Sequence, residues 1–159
     1  MAENLQEVLV FKIENQRFAI YLHSIERIIR AQAIIKLNDT PGFLEGVIDF
    51  YGEVIAVINL RKRLNFTLQE IKLNDRFIII QTPTRKLVII ADEVENIISP
   101  KSDDIFNSKD IDIGIKFINI LRDDNGIVLI YSVEDLIEKA EEFELNKFIS
   151  DNFLVKNNL

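Results

Sequence analysis

The chain has 159 residues, 48% hydrophobic and 28% charged, enough for one compact domain and far from the composition of a disordered protein. Its net charge of −7 argues against nucleic acid or anionic lipid as the main partner, because both attract basic surfaces. The absence of cysteine excludes disulfides and thiolate metal sites. No apolar run approaches the roughly 18 residues that span a bilayer, and the acidic beginning is unlike a signal peptide, so we expect a soluble protein without direct membrane insertion.

The first half of the chain is predicted to consist mainly of strands. Isoleucine supplies 28 residues, and β-branched side chains favour strands over helices. In chain order, strands at 9–13 and 17–22 are expected to form a hairpin across residues 14–16. Residues 23–31 carry isoleucines at helical spacing, which predicts one short helical turn running into a strand. Residues 39–42, Asp-Thr-Pro-Gly, are typical of a turn.

The second half continues the alternation of strands and tight turns. Pro83-Thr84 predicts the turn of one hairpin, and Asn125-Gly126, a strong hairpin signal, predicts the turn of another. Ser132 is a candidate N-cap for a C-terminal helix with one apolar face. The further strands predicted are 53–60, 76–82, 86–94, 115–121 and 127–133.

An internal repeat organises these elements. Residues 18–29 align without a gap with residues 87–98, at an offset of 69, and Gly52 and Gly126 each open an apolar strand. The chain therefore reads as two copies of one five-strand unit. Short strands rarely leave their edges open, so each unit is expected to curl into a small barrel, and the two barrels would meet along an apolar seam.

The predicted fold is mainly β, with two packed five-stranded small β-barrels and a C-terminal helix. We expect one domain over residues 1–159. The first barrel would take about 8–70 and the second about 74–132. The helix and tail would occupy about 133–159.

The sequence offers little that could support catalysis. Gly46 and Gly52 could suggest a phosphate loop, but a strand rather than a helix follows them, so tight turns are the better interpretation. His23, the single histidine, has no partner at the spacing of a metal site or a general base. Asp123-Asp124 lacks the spacing of a calcium loop. We expect neither an enzyme nor a bound cofactor or metal.

Residues 61–63, Arg-Lys-Arg, form a basic cluster on an otherwise acidic chain. One interpretation is a solvated strand end. A nucleic-acid groove would need more basic residues interleaved with exposed aromatic rings. Ion pairs with another protein agree better with a few cations on an acidic body.

The segment TPGFLEGVIDFYGEVIAVINLRKRL, residues 40–64, resembles the signature of CheW-type coupling domains. The segments LVFKIENQRFAIYLHSIERI and LVIIADEVENI resemble the family's opening strands and its second-half pattern. IDIGIKFINILRDDNGIVLIYSVEDLI resembles its closing hairpin and helix. The resemblance covers about residues 8 to 139, and its length in one register makes it specific.

This resemblance implies two packed five-stranded β-barrels and no covalent chemistry. Members of the family are cytoplasmic scaffolds, recruited to receptor arrays at the inner face of the membrane. They join chemoreceptor tips to the histidine kinase CheA, whose regulatory domain has the same fold. Four residues, Gly46, Gly52, Leu60 and Arg61, occupy matching positions, and Ile25 lies in the segment implicated in receptor contact.

Two positions depart from the family pattern together. The family usually has Glu at the position of Arg27 and Arg at that of Tyr51, and there the two pair across the first barrel. We hypothesise that Arg27 stacks on Tyr51 in this chain, an interaction worth about 0.5–2 kcal/mol. Ala56 replaces the strand's proline, and Asn59 replaces the aspartate before Leu-Arg.

The apolar seam is expected to receive the helical hairpin of a receptor tip, and the barrel edges the kinase's regulatory domain. Arg61 is the best charged candidate for partner contact, and we expect Arg61→Glu to weaken binding without unfolding the chain. The alternatives are a CheW paralogue serving a different receptor and kinase array, or, in another class, a small-barrel binder of an oligonucleotide or small ligand. Candidates for the groove, each equally well interpreted as a core residue, are Ile25, Val47, Ile48, Val57 and Leu60.

Overall fold

A computed structural model describes residues 6–107, 119–134, 136 and 139–151. Its helical elements are two 3₁₀ turns, Leu22–Ser24 and Ser102–Asp104, and two helices, α1 (Leu60–Arg63) and α2 (Lys139–Ile149). The strands are β1 (Val8–Ile13), β2 (Gln16–Tyr21), β3 (Ile25–Arg30), β4 (Leu44–Phe50), β5 (Glu53–Ile58), β6 (Arg76–Gln81), β7 (Lys86–Ala91), β8 (Glu93–Ile98), β9 (Ile105–Asn107), β10 (Asn119–Asp123) and β11 (Gly126–Tyr131). The mainly β prediction is confirmed.

The described strands form two sheets. The six-stranded sheet has the order β8-β1-β2-β11-β10-β9, and the five-stranded sheet has the order β3-β6-β7-β5-β4. Neighbouring strands are antiparallel except for two parallel contacts, β2 with β11 and β5 with β7. Among the described strands, the pairing therefore leaves both sheets open, which differs from the closed five-stranded barrels that we predicted.

The internal repeat is visible in the pairing register. Leu9 of β1 lies opposite Ile97 of β8. The residue 69 positions after Leu9 is Ile78 of β6, and it lies opposite Ile28 of β3, which is 69 positions before Ile97. The first repeat comprises β1 to β5, and the second repeat comprises β6, β7, β8, β10 and β11. When the strands are numbered within their own repeat and β9 is left aside, both sheets have the order third, first, second, fifth, fourth. The two halves are thus related by an internal two-fold repeat.

Each sheet contains the first hairpin of the opposite repeat. The hairpin β1–β2 lies between β8 and β11, and the hairpin β6–β7 lies between β3 and β5. Strand pairing therefore crosses the predicted boundary between residues 8–70 and 74–132, although those subdomain limits stay a prediction. A repeat in the sequence shows which strands are equivalent. Because both repeats contain equivalent strands for a hairpin to pair with, the repeat does not show whether a hairpin pairs within its own repeat or with the other one.

The buried side chains of the described residues form three clusters. The largest, which we call the central core, takes residues from both sheets, such as Phe11 of β1 and Ile80 of β6. The second consists of residues of the six-stranded sheet, including Val10, and the third of residues of the five-stranded sheet, including Ile79. Both faces of the inner strands are therefore buried, which explains their continuous apolar runs. Each sheet curls over its own cluster and packs on the other through the central core.

The local predictions have mixed outcomes. The 3₁₀ turn Leu22–Ser24 leads directly into β3, as expected. The predicted strand 53–60 ends at Ile58, because α1 begins at Leu60. Residues 115–118 of another predicted strand lie outside the described residues. The N-cap prediction was wrong, since Ser132 accepts a hydrogen bond from the Glu134 N–H in a local turn, and Leu136, which lies in a bend, separates it from α2.

Candidate functional site

Arg61 lies at a junction of three parts of the chain. Asn59 caps α1 by accepting a hydrogen bond from the Arg61 N–H, which directs the arginine inward. The Arg61 guanidinium pairs with the Glu14 carboxylate, with Asp92 Oδ2 at 2.5 Å and with the Thr67 carbonyl at 2.9 Å. These contacts join the β1–β2 turn, the β7–β8 junction and the segment after α1.

The burial of Arg61 changes its interpretation. Only 8% of the residue is exposed. Burial lowers the pKa of the guanidinium, but hydrogen bonds to Asp92 and Glu14 outweigh that effect and hold the pKa above its ordinary value. The sequence suggested a solvated or partner-facing arginine, whereas the structure places it in an internal ion-pair network. Its role in partner contact stays a prediction.

Most of the apolar candidates are packing residues. Ile48 and Val57 belong to the cluster inside the five-stranded sheet, and Leu60 belongs to the central core. Val47 is also buried. Ile25 is half-buried against the central core and is the one candidate of this group with accessible surface. The structure therefore favours the core interpretation for the other four.

Gly46 occurs where another segment crosses β4. A Cβ atom at this position would lie 2.4 Å from the Ile35 carbonyl oxygen and 2.6 Å from Cγ2 of Ile34. Ile35 and Val47 exchange two backbone hydrogen bonds, of 2.8 and 3.0 Å, which hold the segment against the strand. Gly46 is thus needed for a close backbone approach, and the crossing segment covers the free edge of β4.

A tight turn connects β4 and β5. Phe50 lies opposite Glu53, so Tyr51 and Gly52 form a two-residue loop, with φ values of 52° and 87°. Asp49 Oδ1 accepts a 2.8 Å hydrogen bond from the Gly52 N–H. Positive φ at both central residues is the mark of a type I′ turn, which suits the twist of a hairpin.

The hypothesis that Arg27 stacks on Tyr51 was wrong. The guanidinium carbon of Arg27 lies 5.5 Å from the centre of the Phe50 ring instead. Phe50 packs against the cluster inside the five-stranded sheet, while Tyr51 lies in the turn and is 93% exposed. The two rings meet edge to face at 4.8 Å. The one-residue error arises because consecutive residues at a strand end point in different directions.

Two equivalent exposed isoleucines extend the face of the central core. Ile28 of β3 lies opposite Ile78, and Ile97 of β8 lies opposite Leu9. Both partners belong to the central core, and directly opposed residues point to the same face. Ile28 and Ile97 are nevertheless exposed, so the apolar face reaches the surface at both outer strands.

A second pair shows the same arrangement. Val54 and Ile127 are the second residues of β5 and β11, and both are exposed. Val54 lies two residues before Ala56, a member of the central core, and Ile127 lies two residues before Leu129, which packs against that core. Residues two apart on a strand point to the same face, so Val54 and Ile127 also point toward the central core. Ile28, Ile97, Val54 and Ile127, hereafter the seam residues, are surface extensions of the apolar layer between the sheets. The sequence indicated the seam but not these residues.

Three charged side chains beside the β4–β5 turn form ion pairs. Lys86 Nζ lies 3.0 Å from a Glu26 carboxylate oxygen and 3.1 Å from one of Glu53. The hydrogen bond to Glu26, and to a smaller extent that to Glu53, raises the pKa of Lys86. Three strands, β3, β5 and β7, thus contribute to one ionic cluster at the end of the five-stranded sheet.

A cleft of about 680 Å³ lies between residues 31–36 and 68–73, with Glu45 in its wall. Glu45 accepts hydrogen bonds from Asn59 Nδ2 and Lys62 Nζ, both at 3.1 Å. Burial raises the pKa of the carboxyl, but these bonds outweigh that effect and hold the pKa below its ordinary value. Both walls are connecting segments without strand periodicity, so no pattern in the sequence indicated this cleft.

The described residues contain no cluster of histidine, aspartate and glutamate able to hold a metal ion. Nor does any helix within the described ranges have the length and apolarity to cross a membrane. The fold and surface define a mainly β domain with an internal two-fold repeat and an apolar inter-sheet seam.

Comparison with known proteins gives the family. The family model described as CheW-like domain matches residues 7–141, and the chain belongs to this family. It is similar to the chemotaxis protein CheW of Thermotoga maritima, 28% identical over 84% of this chain and 88% of the relative. It is also similar to the chemotaxis protein CheW of Bacillus subtilis, 27% identical over the same shares. The crystal structure of the scaffolding protein TtCheW from Thermoanaerobacter tengcongensis has the same fold, with a TM-score of 0.76, 23% identity and coverage of 84% and 93% of the two chains.

Proposed function

We propose that this chain is a non-enzymatic scaffold that couples chemoreceptors to the histidine kinase CheA in chemotaxis. The observation that carries the proposal is membership of the CheW-like family across residues 7–141, together with relatives named as chemotaxis proteins. The chain would act in the cytoplasm, at receptor arrays on the inner face of the membrane. Any phosphoryl transfer would belong to the kinase.

The seam is the proposed contact for the receptor. Exposed apolar side chains that continue a core face are typical of interaction surfaces. Ile28 and Ile97 extend the central core to the surface, and Ile25 lies half-buried beside it. An amphipathic helical hairpin would place its apolar face on such a surface, with anchors spaced along one side of the helix.

The sheet edges are the proposed contact for the kinase's regulatory domain. A scaffold that binds two partners at separate surfaces can join them in an array, where many weak contacts add up to stable attachment. Within the described part of the chain, the outer strand β3 offers such an edge, whereas Ile35 covers the edge of β4 at Val47.

Binding of two purified probes tests the proposal. We would titrate the wild-type chain, by calorimetry, with the regulatory domain of the source organism's kinase and with a cytoplasmic fragment of its chemoreceptor. Ile97→Asp should weaken receptor binding by at least about tenfold, because it places a charge on the seam. Leu73→Asp is the matched control, since Leu73 is exposed but lies on the separate cleft. If the wild-type chain bound neither probe, the proposed coupling role would be wrong.

The oligonucleotide alternative finds no support in the geometry. Arg61 is buried in ion pairs, and Lys62 is paired with Glu45, so residues 61 and 62 do not form an open basic patch. We expect no salt-dependent binding to a generic single-stranded DNA.

A further inference from the structure

Tyr51 has an unfavourable backbone conformation. Its φ of 52° lies in the left-handed region, where a Cβ atom crowds the following carbonyl. Type I′ turns prefer Asn, Asp or Gly at this position, because these residues tolerate positive φ. A tyrosine therefore destabilises the turn relative to asparagine. Such strain is common at functional positions.

The Tyr51 side chain does not compensate for this conformation by packing. The residue is 93% exposed, and its ring contact is the edge of Phe50 at 4.8 Å. Apart from this edge contact, the described contacts give the ring no packing partner, so most of it projects into water from a strained turn. Tyrosine is, however, among the residues most often found as central anchors of protein interfaces, since it buries a large area with few rotatable bonds.

Arg27 provides a cation beside this ring. Its guanidinium lies over Phe50, and within the described ranges it forms no ion pair with a carboxylate. The adjacent Glu26 and Glu53 are both bound by Lys86. Arg27 thus keeps its charge available for a carboxylate on another molecule, in contrast to Arg61 within its internal network.

The shape of the surface formed by Tyr51 and Arg27 indicates which of the two partners of the proposed function it binds. A ring at the tip of a two-residue hairpin is a protrusion, and a protrusion needs a pocket on a folded domain. The helical tip of a receptor is itself convex and would need a groove.

We infer that Tyr51 is an anchor that inserts into an apolar pocket of the kinase's regulatory domain, with Arg27 binding a carboxylate at the rim of that pocket. The inference rests on the proposed function and deepens it by naming the partner and the residues that would select it. The strain and exposure of Tyr51 in the isolated chain would then be offset by burial of the ring in the complex.

Substitution of Tyr51 by asparagine provides the test. Asparagine suits the left-handed conformation, so Tyr51→Asn removes the ring and keeps the turn. We expect its affinity for the purified regulatory domain to fall by at least about tenfold, while the thermal midpoint stays equal or rises. Affinity for the receptor fragment should not change. Arg27→Gln should weaken binding to the domain and reduce the dependence of affinity on salt concentration.

Asp124→Asn is the matched control, because Asp124 occupies the equivalent first position of the β10–β11 turn and is also exposed. It should bind the regulatory domain like the wild-type chain. Equal binding by Tyr51→Asn and the wild-type chain would overturn the inference and leave the proposed function intact. A lower thermal midpoint of Tyr51→Asn would also overturn it, since the ring would then be structural. A wild-type chain that fails to bind the domain would refute the kinase part of the proposed function itself.

Discussion

Arg61 and Asp92 form an ion pair, with 2.5 Å between Nη2 and Oδ2, that joins helix α1 to the junction of β7 and β8. The same oxygen of Asp92 accepts a 2.7 Å hydrogen bond from the Glu14 N–H, and the Glu14 carboxylate pairs with Arg61 in turn. Arg61 belongs to the first repeat and Asp92 to the second, and the N-terminal hairpin is held between them. The pair is therefore part of the contact between the two halves.

Arg61→Glu is expected to destabilise the fold. The substitution would place three carboxylates together in a site where residue 61 is almost fully buried. Loss of one partner of a buried ion pair costs about 2–5 kcal/mol, and we expect the lower part of this range because Glu14 and Asp92 are about one-third exposed. Urea denaturation would measure the free energy of unfolding.

Lys101→Glu is a control for the change of net charge, because Lys101 is exposed. It should alter the free energy of unfolding by no more than about 0.5 kcal/mol. An Arg61→Glu variant that is as stable as the Lys101 control, yet binds its partner poorly, would restore the interpretation of Arg61 as a contact residue.

Gly46→Ala should destabilise the five-stranded sheet. The added Cβ would lie far inside contact distance of the Ile35 carbonyl, and backbone must shift to accommodate it. We expect a loss of about 2–3 kcal/mol, measured by urea denaturation. Gly42→Ala is the matched control, since a Cβ there has nothing within 4 Å, and its stability should stay within about 0.5 kcal/mol of wild type. Similar losses in both variants would show that the crossing segment yields easily.

Acid should weaken the fold partly through Asp123. Both oxygens of Asp123 accept 2.7 Å hydrogen bonds from the Arg17 guanidinium, which is the main reason that the pKa of the carboxyl lies below its ordinary value despite partial burial. Because the pKa of Asp123 is lower in the folded state than in the unfolded chain, the unfolded chain binds more protons at pH values between the two. The stabilisation that Asp123 contributes is therefore fully present above about pH 4 and is lost as the pH falls through the folded-state pKa.

The measurement is the free energy of unfolding of wild type and Asp123→Asn between pH 7 and pH 3. The variant should be less stable at neutral pH and should lose less stability on acidification. Parallel curves for the two proteins would exclude a contribution of Asp123 to the acid response.

Tyr131→Phe should keep or raise stability. The Tyr131 hydroxyl is buried in the central core and has no hydrogen-bond partner among the described residues. Burial raises the pKa of this phenol. Removal of an unsatisfied buried polar group should gain up to about 1 kcal/mol in thermal or urea denaturation. A loss of more than 1 kcal/mol would instead reveal a bonded hydroxyl.

The sequence predicts local structure well because strands and turns leave local patterns. The offset that relates Ile28 to Ile97 in the sequence is the offset found in the pairing registers. The internal ion pairs of Arg61 were not predicted, because its partners, Glu14 and Asp92, are 47 and 31 residues away, beyond any local pattern. The cleft beside Glu45 was missed for the same reason, since its walls come together only in the folded chain.

The exchange of hairpins between the repeats has a consequence for synthesis on the ribosome. β2 pairs in parallel with β11, through Phe18 and Leu129, so this hairpin pairs with a strand that is synthesised much later. Pairings between such distant segments form slowly, because a long loop must close first. The β1–β2 hairpin therefore lacks its parallel neighbour until residues 126–131 have been synthesised, whereas the strands of the five-stranded sheet, which lie between residues 25 and 91, can pair earlier.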